Sequence, residues 1–462
     1  MDGNSLSEEQ RSDVEGFVTE WLSDNRIPGA AVAVTDADGI LFADGFGARK
    51  LDQNEPATED TLFGIGSSSK SFTALAIMQL AEQGELSVND PVDEYVGYLS
   101  DAPGDPITVK ELLTHTSGMP SDGSAGPLVT RPLGIGHIEV PLSSRDDFRR
   151  HIEGSVDRRV TDRDTFFYYN SGYTILSHVV EAVADDSFEN YVEDNILDPL
   201  DMDRSTYSQE DFEDEEDRMT PYVKQEENTT ESGFPFDPLI QGPGGLVSSV
   251  KEMAAYTRMY INNGSLGDET LLSDEGIEEM KTPESVFGSR IDGTDVEYGY
   301  GIMAQDFLDD RLIGHGGSIA VSNFWFGYLE DAELGVAVGC TSTPDAHPQS
   351  VGPAVLALLQ GEEPNETVPY YKLVEQLERV TGTYGTYRDI GSAEIEREGG
   401  TLNFTQQSGL GTFELSLVPD TFEDDVLICK TVMASGMEHP VRFEFDDDDV
   451  YCYFERSRYV KE

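Results

Sequence analysis

Hydrophobic positions run almost unbroken from Phe72 to Ala81, where Phe72, Ala74, Leu75, Ala76, Ile77, Met78, Leu80 and Ala81 leave no polar face. That pattern predicts a helix buried on every side in the core of a sizeable domain. Gln83-Gly84 marks its end, glycine being suited to a left-handed cap. Upstream, residues 10–23 read as an amphipathic helix. Residues 30–35 and 40–43 read as two strands across an Asp36-Ala37-Asp38-Gly39 turn. Downstream, 109–113 and 174–184 read as helices, and 121–164, rich in Gly, Pro and charge, as a long surface excursion and candidate lid. The acidic run 210–218 reads as solvated loop. Four late strands follow at 300–305, 311–314, 322–328 and 334–339.

The pattern changes near Gln360. Gly361-Glu362-Glu363-Pro364 reads as linker, with a short helix around 371–379. Beyond it come seven short alternating stretches at 383–388, 393–397, 402–406, 413–418, 426–431, 441–445 and 450–455. Gly399-Gly400 and residues 446–449 supply turn signals. Closely spaced strands without helices predict a small up-and-down barrel or sandwich. The expected division is therefore a large domain over 1–360, a linker and helix over 361–379, and a small β domain over 380–462.

Charge adds a constraint that pattern alone does not show. Ninety acidic residues face thirty basic ones, a net charge of −60. The acid is spread along the whole chain, which suits a folded protein with an acidic coat adapted to high salt, where counterions screen self-repulsion. The same charge disfavours nucleic acid. No apolar run approaches the roughly 18 residues that span a bilayer, and residues 1–13 show no basic-then-apolar leader. Cys340, Cys429 and Cys452 are a sparse, odd set that suits reduced thiols. A cytoplasmic location and no membrane partner are therefore expected. A homo-oligomer is compatible with the sequence, which sets no number of copies.

The chemistry gathers at the head of the buried helix. In Gly66-Ser67-Ser68-Ser69-Lys70, Ser67 and Lys70 share one helix face. A desolvated lysine can lose its charge and accept the serine proton. The S-x-x-K pattern arises by chance roughly once or twice in a chain this long, and a second copy exists at Ser248-Ser249-Val250-Lys251. Its following Tyr260 and Asn262 lie on the same expected helix, so they cannot fold back onto Ser248; Ser249 reads as a helix cap. No H-E-x-x-H pairing points to a metal, no cofactor motif is present, and no G-x-S-x-G suggests a Ser-His-Asp hydrolase.

The order Ser67-Ser68-Ser69-Lys70, His115-Thr116-Ser117-Gly118, Tyr168-Tyr169-Asn170-Ser171-Gly172-Tyr173 and His315-Gly316-Gly317 resembles the serine β-lactamase-like superfamily. Within it the match is to the class C β-lactamase, D-alanyl-D-alanine carboxypeptidase and CubicO-type serine hydrolases, over about residues 10–355. The tail resembles a lipocalin-like domain of some archaeal serine peptidases of that branch. The resemblance implies an α+β fold: an antiparallel sheet flanked by helices, with a helical subdomain and the site between them. It implies Ser67 as the acylated nucleophile, Lys70 as its base and Tyr168 as a second acid–base. Asn170 would orient Lys70 and the substrate, and Gly316 and Gly317 would let the strand edge approach it closely. The N–H groups of Ser67 and Ser318 would receive the oxyanion.

His315 stands where many relatives carry a lysine, which would weaken carboxylate binding and make the site pH-sensitive. His115 reads as a structural residue in a turn behind the site wall. The expected partner is a small-molecule or peptide substrate. The leading activity is peptide or amide hydrolysis; a carboxylesterase or β-lactamase on the same site, and a silent ligand-binding protein, are the alternatives.

Overall fold

The computed structural model describes all residues except 1–4, 136–138, 162–164, 226–227, 409–410, 424 and 447–448. Two compact units divide at Gly361 and Glu362.

In the first unit, α1 (Glu8–Asn25) opens on a Ser7/Gln10 capping box and buries Val14, Val18, Trp21 and Leu22. β1 (Gly29–Asp36), β2 (Ile40–Lys50) and the short β3 (Glu55–Pro56) follow. Next come α2 (Ser69–Glu82), α3 (Asn170–Ala184) and α4 (Val250–Ile261). The late strands are β4 (Ser285–Ser289), β5 (Asp295–Tyr298), β6 (Met303–Phe307), β7 (Asp310–Ser318), β8 (Ser322–Leu329) and β9 (Leu334–Thr341), before α5 (Pro348–Leu359). Among the described residues these strands make one antiparallel nine-stranded sheet in the order β4-β5-β6-β7-β8-β9-β1-β2-β3. The first strand pairs with the last, Ala30 opposite Cys340. β1, β8 and β9 are buried almost throughout because helices cover both faces. The N- and C-terminal strands thus build one sheet, as the resemblance implies.

α2 is buried from Ser69 to Leu80, as its pattern requires. It packs on α3 and on the bend at Gly242-Pro243. The stretch 121–164 differs from the expected surface excursion. Helices at Ala125–Thr130 and Arg145–Glu153 bury Leu128, Phe148 and Ile152 in the main core. Phe148 and Ile152, four apart, form the apolar stripe that the surrounding charge obscures. Residues 136–138 and 162–164 of that stretch, and part of the turn expected at 446–449, lie outside the described residues.

The second unit begins with α6 (Pro364–Thr367) and α7 (Pro369–Val380), where a linker with one short helix was expected. Leu377 and Val380 enter this unit's core, so α7 is part of the domain. Among the described residues eight strands, from β10 (Gly382–Gly385) to β17 (Ser457–Lys461), close an antiparallel barrel in sequence order. Closure removes the exposed edges that a sandwich would keep. Its core is packed with Tyr384, Phe404, Leu417, Phe443 and Tyr459, beside buried Cys429 and Cys452 with free thiols. Among the described residues no helix is long and apolar enough to cross a membrane.

Candidate active site

Ser67 sits on a single 3-10 turn, Gly66–Ser68, that leads into α2. Four serines crowd this turn, and the structure separates their roles. The Ser68 hydroxyl donates to His315 O at 3.0 Å and Ser71 to Ser68 O at 2.8 Å, while Ser69 Oγ accepts from the Leu246 N–H at 3.2 Å. All three are buried, whereas Ser67 opens into the cleft. Gly66, at φ +52°, makes the bend that aims it there.

Lys70 is wholly buried. Its Nζ lies 3.2 Å from Ser67 Oγ, 2.8 Å from Asn170 Oδ1 and 2.7 Å from Pro243 O. None of these partners is a carboxylate, so desolvation is unopposed and the amine is held well below the usual lysine range. The ring of Tyr168 stands 4.8 Å from the same nitrogen, centroid to Nζ. Its phenol, facing the Ser67 hydroxyl, is pushed above its ordinary range by burial.

His115 explains how Tyr168 is held. At φ +58°, its carbonyl accepts from the Phe167 N–H at 2.9 Å and its Nδ1 from the Tyr169 N–H at 3.0 Å. Two hydrogen bonds flank Tyr168, and Asn170 begins α3 directly after them. The imidazole is thereby the Nε2–H tautomer, kept neutral by burial.

β6 pairs with β7 only as far as Gly314, so residues 315–318 present an edge towards Ser67. A side chain on Gly317 would begin 2.6 Å from Ser67 N, and one on Gly66 2.5 Å from Ser318 N. The two N–H groups therefore lie on either side of a glycine–glycine contact. Ser318 itself is exposed.

His315 departs from the expectation of a pH-sensitive carboxylate ligand. Its Nδ1–H donates to Gly316 O at 2.6 Å, and Nε2 accepts from the Tyr298 hydroxyl at 3.1 Å. Burial lowers its pKa to about 3, so it stays neutral across the ordinary pH range. Both nitrogens are already engaged inside the fold.

The open cleft at Ser67 measures about 340 Å³. Besides the expected residues it is lined by Phe287, Met303, His347 and Gln349. Sequence reasoning missed these because they lie on β4, β6 and the start of α5, where no motif marks them. His347 is also neutral, lowered to about 4 by burial, with Nδ1 accepting from Gln349 N–H and Nε2–H donating to Asn323 Oδ1. Among the described residues no group of three or more His, Cys, Asp or Glu could hold a metal ion. The second S-x-x-K copy is not a dyad. Ser249 caps α4 by accepting from Glu252 N–H, and Lys251 pairs with Asp60 at 3.1 Å.

A buried lysine hydrogen-bonded to a serine, at the head of a core helix beside an antiparallel sheet, places the fold among the β-lactamase and penicillin-binding-protein serine hydrolases. The chain belongs to the beta-lactamase family, whose model matches residues 11–360. Residues 364–460 match the Pab87 octamerisation domain. The octameric penicillin-binding protein homologue from Pyrococcus abyssi is 33% identical, with a TM-score of 0.89 over 98% of this chain and all of that one. The putative penicillin-binding protein PbpX of Bacillus subtilis (strain 168) is 29% identical over 60% of this chain and 65% of that protein. Protein flp of Staphylococcus aureus (strain MW2) is 28% identical over 46% of this chain, and the match spans 42% of its own length. A D-stereospecific amidohydrolase from Streptomyces sp., 21% identical with a TM-score of 0.59 over 71% of this chain and 94% of that one, shares the fold.

Proposed function

We propose that the chain is a serine hydrolase that forms an acyl-enzyme on Ser67 and cleaves amide bonds in peptides. The observation that carries this reading is the buried Lys70 amine, hydrogen-bonded to Ser67 and free of any carboxylate. As a neutral amine it donates to Asn170 Oδ1 and Pro243 O and offers its lone pair to the Ser67 proton. Ser67 Oγ then attacks the carbonyl carbon, Lys70 becoming an ammonium. The Ser67 and Ser318 N–H groups receive the oxyanion. Tyr168, kept protonated by its raised pKa, donates to the leaving nitrogen and is resupplied from Lys70. In the second half, water gives up its proton by the reverse route and releases the acid. Peptides are favoured over β-lactams because His315 and His347 offer no positive charge beside Ser67 to hold a lactam's carboxylate.

The test is a fluorescent phosphonate, which should label the native protein stoichiometrically and leave Ser67→Ala unlabelled. Equal labelling of both would end the proposal.

For the second unit we infer assembly into octamers rather than the ligand carriage that a lipocalin-like barrel would suggest. The barrel core is filled by side chains. Ile390, Val432 and Met437 are exposed apolar side chains of this unit, which burial between copies would cover. Light scattering of the full chain should return about eight chain masses; a monomer would refute it. The acidic coat we read as an adaptation to concentrated salt.

A further inference from the structure

Tyr168 and Asn170 reach Ser67 and Lys70 from a short run of chain that α3 does not cap for itself. Tyr169 stands at the helix start with no side-chain cap. His115 holds the run from one side, through its bonds to the Phe167 and Tyr169 N–H groups. Asp122 holds it from outside the helix. Its Oδ1 accepts from the Ser171 hydroxyl at 2.9 Å and from the Ser124 N–H at 2.9 Å. Ser171 has one proton and gives it to Asp122, so the 2.6 Å contact between the two serine hydroxyls is donated by Ser124. Both serines are buried, and the Asp122 side chain is only 4% exposed. His151, on the helix Arg145–Glu153, fixes Asp122 in turn, its Nε2–H donating to Asp122 O at 3.2 Å. That nitrogen stands 3.8 Å from Oδ1.

What sets this cluster apart is what it leaves open. Asp122 Oδ2 and the Tyr169 hydroxyl are both buried, and among the described residues neither has a hydrogen-bond partner. The phenol nevertheless feels the carboxylate, its pKa pushed well above the ordinary range by burial and then by the Asp122 charge. Unpartnered buried groups cost stability, and apolar side chains of the same shape would serve packing better. Here the cost falls on the residue between Tyr168 and Asn170, where a small displacement of the chain moves both. Asp122 itself is not among the residues lining the Ser67 cleft.

We propose that Asp122 is a positioning residue for the reaction: through Ser171 it fixes the run 168–171, so that the Tyr168 phenol meets the leaving group and Asn170 meets Lys70. The proposal rests on the serine-hydrolase reading and gives the stretch 121–164 a part in it.

Leaving groups separate positioning from general damage. An amide nitrogen must be protonated to leave, whereas p-nitrophenolate leaves as an anion. Benzyloxycarbonyl-alanine p-nitroanilide and p-nitrophenyl ester, each in the L and D series, share one acyl group, and kcat/KM reports acylation of Ser67 for both. The ratio of anilide to ester rates should fall by roughly ten- to a hundredfold in Ser171→Ala and in Asp122→Ala. The double variant should fall no further, because both substitutions cut one tether. Asp122→Asn keeps an acceptor for Ser171 and should recover part of the ratio. A ratio unmoved in the single variants, losses that add in the double variant, or an Asn variant as poor as the Ala variant would each overturn the proposal.

The second measurement needs no turnover. Hydrogen exchange of the full chain, followed in peptides covering residues 168–173, should be roughly tenfold faster in Ser171→Ala, with α4 unchanged. Unchanged exchange over 168–173, or an equal rise in α4, overturns it. Should the phosphonate fail to label Ser67 in the native protein, the serine-hydrolase reading falls and takes this role with it. A labelled Ser67 with an unmoved ratio sinks the present proposal alone.

Discussion

Lys70 has three acceptors around it and no negative charge, and that combination decides its protonation state. An ammonium could donate to all three, but desolvation without a counter-ion disfavours the charge. The longest of the three contacts, 3.2 Å to Ser67 Oγ, is the one a neutral amine would reverse by accepting instead of donating. Replacing Lys70 by Ala should cost roughly 10²–10⁴ in kcat/KM, the range of general-base catalysis; an unchanged rate would remove it from the mechanism. The pH profile is signed as well. On the proposed mechanism protonated Lys70 is inactive, so activity should rise with pH through its pKa, and because that pKa lies well below the ordinary lysine value the acid limb should fall far short of ordinary lysine titration. Burial holds His315 at about 3 and His347 at about 4, so both are already neutral at ordinary pH. His315→Gln should therefore leave the limb where it is, whatever it does to its height. A limb that moves on this substitution would mean that His315 titrates in the working range.

Two elements that never pair in the sheet must nonetheless touch for the site to exist: the 3-10 turn before α2 and the outer end of β7. Their contact is glycine against backbone, since a Cβ on Gly317 would sit 1.9 Å from Ile65 O. Gly317→Ala should push the two apart, destabilise the fold by about 1–3 kcal/mol and lower kcat/KM by roughly 10². Gly16→Ala is the matched control, because nothing lies within 4 Å of a Cβ there and it sits inside α1. It should stabilise by about 1 kcal/mol. Thermal melts and rates on both variants check this; a Gly317→Ala enzyme of native rate would show that the turn can yield. The same elements show what was legible in the sequence. α2 was plain because burial on all sides leaves an almost unbroken apolar run, and Ser67 and Lys70 followed from its head. Pro243 O was not, because a carbonyl 173 positions away from Lys70 carries no side-chain signal. β4 was missed because it is an edge strand whose Val286 and Phe287 are exposed beside Gly288 and two serines, so no alternation marks it. β17 was missed for a similar reason, with charges at Arg458 and Lys461 breaking a five-residue strand. The omission of β4 hid Phe287, and with it one wall of the cleft.

At the scale of the molecule the governing quantity is a net charge of −60. Among the described residues some of its few basic residues are held in local pairs, such as Lys251 with Asp60, Arg204 with Glu215 and Lys430 with Asp420, and the surplus carboxylates repel one another across the surface. Exposed pairs of this kind contribute little each, and they cannot offset a charge imbalance of three to one. Folding concentrates that charge, and bringing copies together concentrates it again. Salt relieves both costs, because the screening length falls from about 10 Å at 0.1 M to about 3 Å at 1 M. The melting temperature should therefore climb with KCl, most steeply below about 1 M, where screening changes fastest. Sucrose, which acts by exclusion and leaves charge unscreened, should not reproduce the steep early part. If the chain assembles, light scattering at low salt should show the assembly loosening over the same range, since the barrels then meet against unscreened repulsion. A melting temperature that ignores KCl would mean that the acidic coat is already balanced within the fold, and the salt-adaptation reading would have to be abandoned.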